Sequence, residues 1–201
     1  GGGRTGGGRR AEIETEPGAR IPFHLPAMNE FLGNLHFSFT TAQKKVAWSI
    51  FRDLDRTHPM NRLLEGDVGS GKTVVALSAA VMAIRAGYQA ALMVPTEILA
   101  RQHAASIIRL LEGMNIRSQL LVSSLKQTEK KNVHGGLVDG TIQLVVGTHA
   151  LLSAGVDFQK LGLVIIDEQH RFCVNQRRQL RGKDDVMPHL LAMTATPITR
   201  S

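Results

Sequence analysis

The chain has 201 residues, enough for one α/β domain with a substantial core and some additional tail. Its composition, 43% hydrophobic and 20% charged, excludes a disordered chain, and its apolar runs are too short to cross a membrane. A formal net charge of +7 favours a polyanionic partner such as nucleic acid, although a basic domain with no charged partner remains the alternative. The single cysteine excludes an internal disulfide, and the polar start does not resemble a signal peptide, so we expect a cytoplasmic protein.

The first 27 residues are rich in glycine and arginine and then carry Pro17, Pro22 and Pro26. Such a segment buries too little apolar surface to offset the entropy lost on ordering, so we predict a flexible linker over 1–27 and one domain over 28–201. The alternative for its start is a nucleic-acid-binding arm made by Arg4, Arg9 and Arg10. Because the chain does not begin with Met, we also expect it to be a fragment.

Predicted strands and helices alternate through the rest of the chain. A helix capped by Thr40 or Thr41 runs to about Asp55, and further helices are predicted over 74–86, 97–111 and 125–138. The predicted strands are 62–64, 89–94, 116–122, 142–146, 161–166 and 190–193. This alternation predicts a parallel sheet with helices on both faces. Ligands of such sheets bind outside the carboxyl ends of the strands, so the polar clusters that follow the strands are expected to converge.

A phosphate-binding loop is predicted between the first strand and its helix. The sequence Gly66-Asp67-Val68-Gly69-Ser70-Gly71-Lys72-Thr73 has the required spacing of glycines, lysine and hydroxyl. The glycines let backbone N–H groups point at an anion, Lys72 brings a cation to the outer phosphates, and Thr73 can join the coordination of Mg²⁺. The alternative is an ordinary glycine turn, but the order strand, loop, helix favours a nucleotide site.

Two adjacent carboxylates, Asp167 and Glu168, follow the predicted strand at 161–166. An enzyme with a phosphate-binding loop needs one acid to hold Mg²⁺ and one group to orient the attacking water, and these two residues suit those tasks. A carboxylate that caps the next helix is the alternative. The phosphate-binding loop favours the catalytic interpretation.

Five further boxes of residues resemble those of superfamily 2 helicases and occur in the same order. They are Phe39-Thr40-Thr41-Ala42-Gln43, Pro95-Thr96-Glu97-Ile98-Leu99-Ala100-Arg101-Gln102-His103, Val146-Gly147-Thr148-His149-Ala150-Leu151, Asp167-Glu168-Gln169-His170 and Thr194-Ala195-Thr196-Pro197. The resemblance implies a RecA-like P-loop NTPase domain that uses ATP and Mg²⁺. It also implies DNA as the partner, and we expect the chain to be a monomer.

The resemblance assigns roles to individual residues. The implied catalytic residues are Lys72, Asp167, Glu168 and His170, and the implied Mg²⁺ ligands are Thr73 and Asp167. The implied ATP contacts are Gln43, which reads the adenine, and the loop residues Gly66, Asp67, Val68, Gly69, Ser70, Gly71, Lys72 and Thr73. The implied DNA contacts are Pro95, Thr96, Arg101, Gly147, Thr148 and His149. The implied coupling residues are Gln176, Arg177, Thr194 and Thr196.

Within superfamily 2, the stretch 59–73 together with Asp167-Glu168-Gln169-His170-Arg171-Phe172 resembles the helicases that remodel branched DNA in recombination and repair. Those proteins carry a wedge domain and a second RecA-like lobe with arginine fingers, and we expect this chain to lack both. An arginine finger contributes about 10³ to 10⁵ in rate, so we expect the chain alone to bind ATP–Mg²⁺ weakly and to hydrolyse it barely. The alternatives are a double-stranded DNA translocase of the transcription–repair coupling type and a non-catalytic ATP-binding module.

Overall fold

The computed structural model describes residues 17–66, 71–167, 179–180, 182, 184 and 186–195. The strands are β1 (Asn61–Gly66), β2 (Gln89–Met93), β3 (Ser118–Leu121), β4 (Leu144–Gly147), β5 (Leu161–Asp167) and β6 (His189–Ala195). The helices are α1 (Leu25–Asn34), α2 (Thr41–Leu54), α3 (Lys72–Arg85), α4 (Glu97–Leu110) and α5 (Gln127–Asp139), with a 3₁₀ helix at His149–Leu152. The strands form one parallel sheet in the order β1-β6-β5-β2-β4-β3, so the predicted α/β architecture is confirmed.

Two apolar cores cover the two faces of the sheet. On one face α1 and α2 pack against α3, in which every residue from Val75 to Ile84 is buried, and α4 packs against β3 and β4. On the other face α5 and residues after β4 pack over the alternate side chains of the strands. β2 is buried throughout, as expected of a central parallel strand. Within the described ranges no helix combines the length and the apolar character that a membrane span requires.

Local hydrogen bonds explain where the helices near the predicted site begin. Thr40 caps α2: its hydroxyl accepts the N–H of Gln43 at 3.1 Å, and the Gln43 side chain accepts the N–H of Thr40 at 2.8 Å. Thr96 caps α4 by accepting the N–H of Leu99. Both caps were predicted, and both place a helix N-terminus at the carboxyl edge of the sheet.

The segment before α1 is packed against the domain. Ala19 and Ile21 are fully buried, the N–H of Gly18 donates to the Thr57 carbonyl, and the N–H of Ile21 donates to the Leu54 carbonyl, both at 2.9 Å. The packed domain therefore includes residues 17–27, which composition had placed in the flexible linker. The remaining linker residues, 1–16, lie outside the described part of the chain.

His189 holds this segment to the sheet. Its ring is fully buried; Nδ1 accepts the N–H of Met60 at 2.8 Å, and Nε2 donates to the carbonyl of Ala19. The two contacts require the neutral tautomer with the proton on Nε2. The start of β6 is thereby tied to the chain before β1 and to the segment before α1.

Candidate functional site

Lys72 joins the carboxyl ends of two neighbouring strands. It begins α3, and its Nζ donates to the carbonyl of Gly66 at 2.9 Å and to the carbonyl of Thr194 at 3.0 Å. Gly66 ends β1, and Thr194 lies in the adjacent β6, opposite Glu65 in register. The ammonium group is therefore held at the edge where a parallel sheet binds its ligands.

Asp167 lies one strand further along the same edge. It ends β5, which pairs with β6, and its partner in register is Met193, the residue before Thr194. Thr73 reaches the same strands, because it lines a small apolar cavity together with Ile165 and Met193. Lys72 and Asp167 thus share one edge of the sheet, although about a hundred residues separate them in the chain.

Gln43 lies beside Gly71, the last glycine of the predicted phosphate-binding loop. Gly71 has φ +80°, in the region that favours glycine, and a Cβ at Gly71 would meet Nε2 of Gln43. Gly71 is also the N-cap of α3 and has no side chain to cover the first-turn N–H groups. A phosphate group would be favoured here by three features. They are the partial positive charge at the N-terminus of α3, the Lys72 ammonium and the uncapped backbone N–H groups that follow Gly71.

Several predicted site residues lie outside the described residues. They are Asp67, Val68, Gly69 and Ser70 of the loop, Glu168 and His170 of the acidic box, and the coupling residues Gln176, Arg177 and Thr196. Their predicted roles remain predictions.

The predicted DNA-contacting boxes follow neighbouring strands. Met93 and Gly147 are partners in register at the ends of β2 and β4, and the N–H of Val94 donates to the Gly147 carbonyl at 2.9 Å. Side chains in these boxes differ in exposure: Thr96, Arg101 and His149 are exposed, Pro95 is half-buried, and Gly147 and Thr148 are buried. The exposed members follow β2 and β4, at the same carboxyl edge of the sheet that carries Lys72.

A family model described as DEAD/DEAH box helicase matches residues 40–201. The chain belongs to the DEAD/DEAH box helicase family. The ATP-using character of that family agrees with the loop and acid that the sheet brings together.

Relatives within this family are similar over most of the chain. The ATP-dependent DNA helicase RecG of Bacillus subtilis is 49% identical over 193 residues, which cover 96% of this chain and 28% of that protein. The RecG of Streptococcus pneumoniae is 55% identical over 168 residues, which cover 84% of this chain and 25% of that protein. The chain thus spans about a quarter of the length of these relatives.

Solved helicase structures confirm the RecA-like fold. A structure of RecG bound to a three-way DNA junction superposes with a TM-score of 0.85 at 43% identity, covering 94% of this chain and 25% of that chain. A structure of the helicase MrfA bound to DNA superposes with a TM-score of 0.65 at 17% identity, covering 90% of this chain and 28% of that chain. The second likeness concerns the fold alone.

Packing accounts for two residues of the predicted DNA-contacting boxes. A Cβ at Gly147 would meet the Leu121 carbonyl oxygen and would lie 2.9 Å from Cγ of Leu151. The hydroxyl of Thr148, which is 7% exposed, caps the 3₁₀ helix by accepting the N–H of Ala150. Both residues therefore have a structural role at the end of β4: Gly147 allows close packing against β3, and Thr148 caps the 3₁₀ helix.

We predict that Gly147→Ala destabilises the domain by about 1–3 kcal/mol, because backbone and a packed leucine must move to admit the methyl group. Gly135→Ala is the matched control. Gly135 lies in α5 and has nothing within 4 Å of a built Cβ, so alanine there should stabilise the helix by about 0.5–1 kcal/mol. Urea denaturation measures both changes, and a neutral Gly147→Ala would contradict the packing account.

The sequence does not reveal that Ser124 is hydrogen-bonded to two residues of the predicted DNA-contacting box before α4 and within its first turns. Ser124, in the turn after β3, donates its hydroxyl to Glu97 at 2.8 Å and its N–H to the same carboxylate at 3.1 Å. Arg101 donates to the Ser124 hydroxyl at 3.4 Å. The carboxylate thus joins the β3 turn to α4. Applying the rule that polar residues follow strand ends to β3 as well would have identified Ser124.

The pKa of His103, a residue of α4, depends on the nearby carboxylate of Asp167. Burial lowers the pKa of His103, and the carboxylate of Asp167 acts in the opposite direction by favouring the charged imidazolium. We predict that Asp167→Asn lowers the pKa of His103 further, because the attracting charge is lost while the burial remains. The pH titration of the His103 ring protons by NMR measures this shift. An unchanged or raised pKa would contradict the proximity of α4 and Asp167.

Proposed function

We propose that this chain is the first RecA-like lobe of an ATP-dependent helicase that remodels branched DNA in recombination and repair. One observation carries the ATP-driven part: the Lys72 ammonium bridges the ends of β1 and β6, one strand from Asp167. The relatives at 49% and 55% identity, both named ATP-dependent DNA helicase RecG, support DNA as the substrate, and the similar structure of RecG bound to a three-way DNA junction supports branched DNA. We further propose that the protein is a cytoplasmic monomer.

In this proposal the loop side binds the nucleotide. Lys72 leaves its two carbonyl partners to contact the outer phosphates, and Gln43, already beside Gly71, contacts the adenine. Bound Mg²⁺ would neutralise charge that develops on the phosphates. Thr73 and Asp167 would hold it, because a hydroxyl and one carboxylate suit an ion that keeps water and phosphate ligands. Glu168 would orient the attacking water, and His170 would link this box to the residues after β6.

Coupling to DNA follows from the position of β6 in this proposal. The Thr194 carbonyl accepts a bond from Lys72, so replacing that bond by a phosphate contact changes the end of β6 directly. Thr194 and Thr196, together with Gln176 and Arg177, would pass this change on to a second lobe. The DNA strand would lie on the surface that includes the exposed Thr96, Arg101 and His149.

A chimera tests the proposed function. The chain replaces the matching segment of the Bacillus subtilis relative, which supplies the remaining three quarters of the protein. We expect ATP hydrolysis that is stimulated by a three-way DNA junction and lost in the Glu168→Gln variant, with ATP binding retained.

Two outcomes would contradict the proposal. A rate of ATP hydrolysis that is the same with and without the DNA junction would argue against a DNA motor. ATP binding without hydrolysis, unchanged by Glu168→Gln, would instead identify a non-catalytic ATP-binding module. The unmodified relative, assayed in parallel, shows that the assay detects the activity.

A further inference from the structure

A row of exposed side chains runs along α2, away from the predicted DNA surface. Thr41, Lys44, Lys45, Trp48 and Arg52 are all exposed. At about 100° per residue their positions fall within about 100° of the helix circumference, so they share one face. The opposite face, which includes Ile50 and Leu54, is buried. We call this row the α2 stripe.

Trp48 is presented from a fixed position at the middle of the α2 stripe. The indole is 51% exposed, yet its ring packs edge-on against Phe23, with centroids 5.0 Å apart and planes at 77°. Phe23 in turn packs on the buried Phe51 at 5.8 Å. Because Phe23 already restricts the Trp48 ring, little side-chain entropy is lost when a ligand stacks on the exposed part of the ring.

The cations of the α2 stripe are not neutralised by nearby acids. The two aspartates at the end of this helix region are engaged by arginines outside the stripe: Asp53 contacts Arg62 at 2.7 Å and Arg56 at 3.9 Å, and Asp55 contacts Arg20 at 3.4 Å. Among the residues that the structure describes, no salt bridge includes Lys44, Lys45 or Arg52. The stripe therefore presents three positive charges around one aromatic ring.

We propose that the α2 stripe is a second nucleic-acid-binding site, and that it takes a single strand. An unpaired base would stack on Trp48, while neighbouring phosphates contact Lys45 and Arg52. A duplex fits less well, because its bases are already stacked on one another. α2 packs against α3, whereas the predicted DNA boxes follow β2 and β4, so the two surfaces are separate. The site needs no ATP hydrolysis, so it stands or fails independently of the motor activity.

The fluorescence of the chain itself tests the proposal, because Trp48 is its single tryptophan. An oligothymidylate of about 15 nucleotides is titrated into the 201-residue chain without nucleotide. We expect saturable quenching of Trp48 emission, weaker quenching by a duplex of equal length, and loss of quenching as salt is raised. Equal quenching by polyglutamate would indicate an acidic protein partner and would overturn the proposal.

Variants separate stacking from charge, with binding followed by the anisotropy of a labelled oligonucleotide. Trp48→Ala should weaken binding about fivefold or more, and Trp48→Phe should restore most of the affinity. The double variant Lys45→Glu, Arg52→Glu should weaken binding about tenfold and reduce the salt slope by about 1.4. Lys130→Glu with Lys131→Glu makes the same charge change on α5 and should leave the affinity for the oligonucleotide unchanged.

Three results would overturn the proposal. The oligonucleotide binds while Trp48 emission stays constant, or Trp48→Ala binds as tightly as the parent, or the α5 control weakens binding as much as the stripe variant. Thermal melting of each variant shows that it is folded, and Trp48→Phe provides a stacking test that leaves an aromatic ring against Phe23.

Discussion

Replacing Lys72 by alanine is expected to weaken ATP binding by about 10- to 100-fold. In the proposed function the ammonium group donates to the outer phosphates, and a hydrogen bond to a charged group contributes about 1.5–3 kcal/mol. Without nucleotide, the same change leaves the carbonyls of Gly66 and Thr194 without this donor, so we also expect a loss of about 1 kcal/mol in stability. Isothermal titration calorimetry with a non-hydrolysable ATP analogue and Mg²⁺ measures the affinity.

Lys72→Met is the companion variant, because it keeps most of the side-chain volume and removes only the charge and donors. It should lose ATP affinity as fully as Lys72→Ala. Lys160→Ala removes a lysine outside the predicted site, where the ammonium lies over the Tyr88 ring, and should leave ATP affinity unchanged. ATP binding that survives both Lys72 variants would show that the nucleotide does not use this loop.

Asp167→Asn is expected to abolish the dependence of ATP affinity on Mg²⁺. The carboxylate at the end of β5 is the proposed protein ligand of the ion, and an amide is a much weaker ligand for this hard cation. In the chimera, the rate of ATP hydrolysis should fall at least about 100-fold. Loss of the metal removes several kcal/mol of transition-state stabilisation and so raises the barrier. ATP titrations with and without Mg²⁺ measure the first effect, and steady-state phosphate release measures the second.

Asp157→Asn is the control for this experiment, since it removes one exposed carboxylate that is not in the acidic box. It should keep the full effect of Mg²⁺. If Mg²⁺ still tightened ATP binding to Asp167→Asn as it does to the parent, the ion would be held elsewhere and the proposed metal site would be wrong.

The sheet and its converging edge were predictable because they depend on local patterns. Apolar runs followed by polar residues marked all six strands to within a few residues. The rule that parallel strands present their carboxyl ends together then placed Lys72 and Asp167 at one edge. That inference needed no knowledge of the pairs of residues that touch.

The sequence does not predict α1, because Pro22 and Pro26 are typical of a linker. Pro26 in fact lies in the first turn of α1, where a missing N–H costs nothing. The packing of residues 17–21 depends on His189, which is separated from its partners Ala19 and Met60 by 170 and 129 positions. No sequence window reveals such contacts, and the steric need for glycine at Gly147 likewise depends on a neighbouring strand.

The convergence of loop and acid on one nucleotide is tested most directly by paramagnetic broadening. Mn²⁺ in place of Mg²⁺, added together with ATP to the isotope-labelled chain, broadens amide resonances close to the ion. We predict that the amides of Lys72, Thr73 and Asp167 broaden together, and only when nucleotide is present. If the amides of Lys72 and Thr73 broadened while that of Asp167 stayed sharp, or the reverse, the result would contradict a shared site.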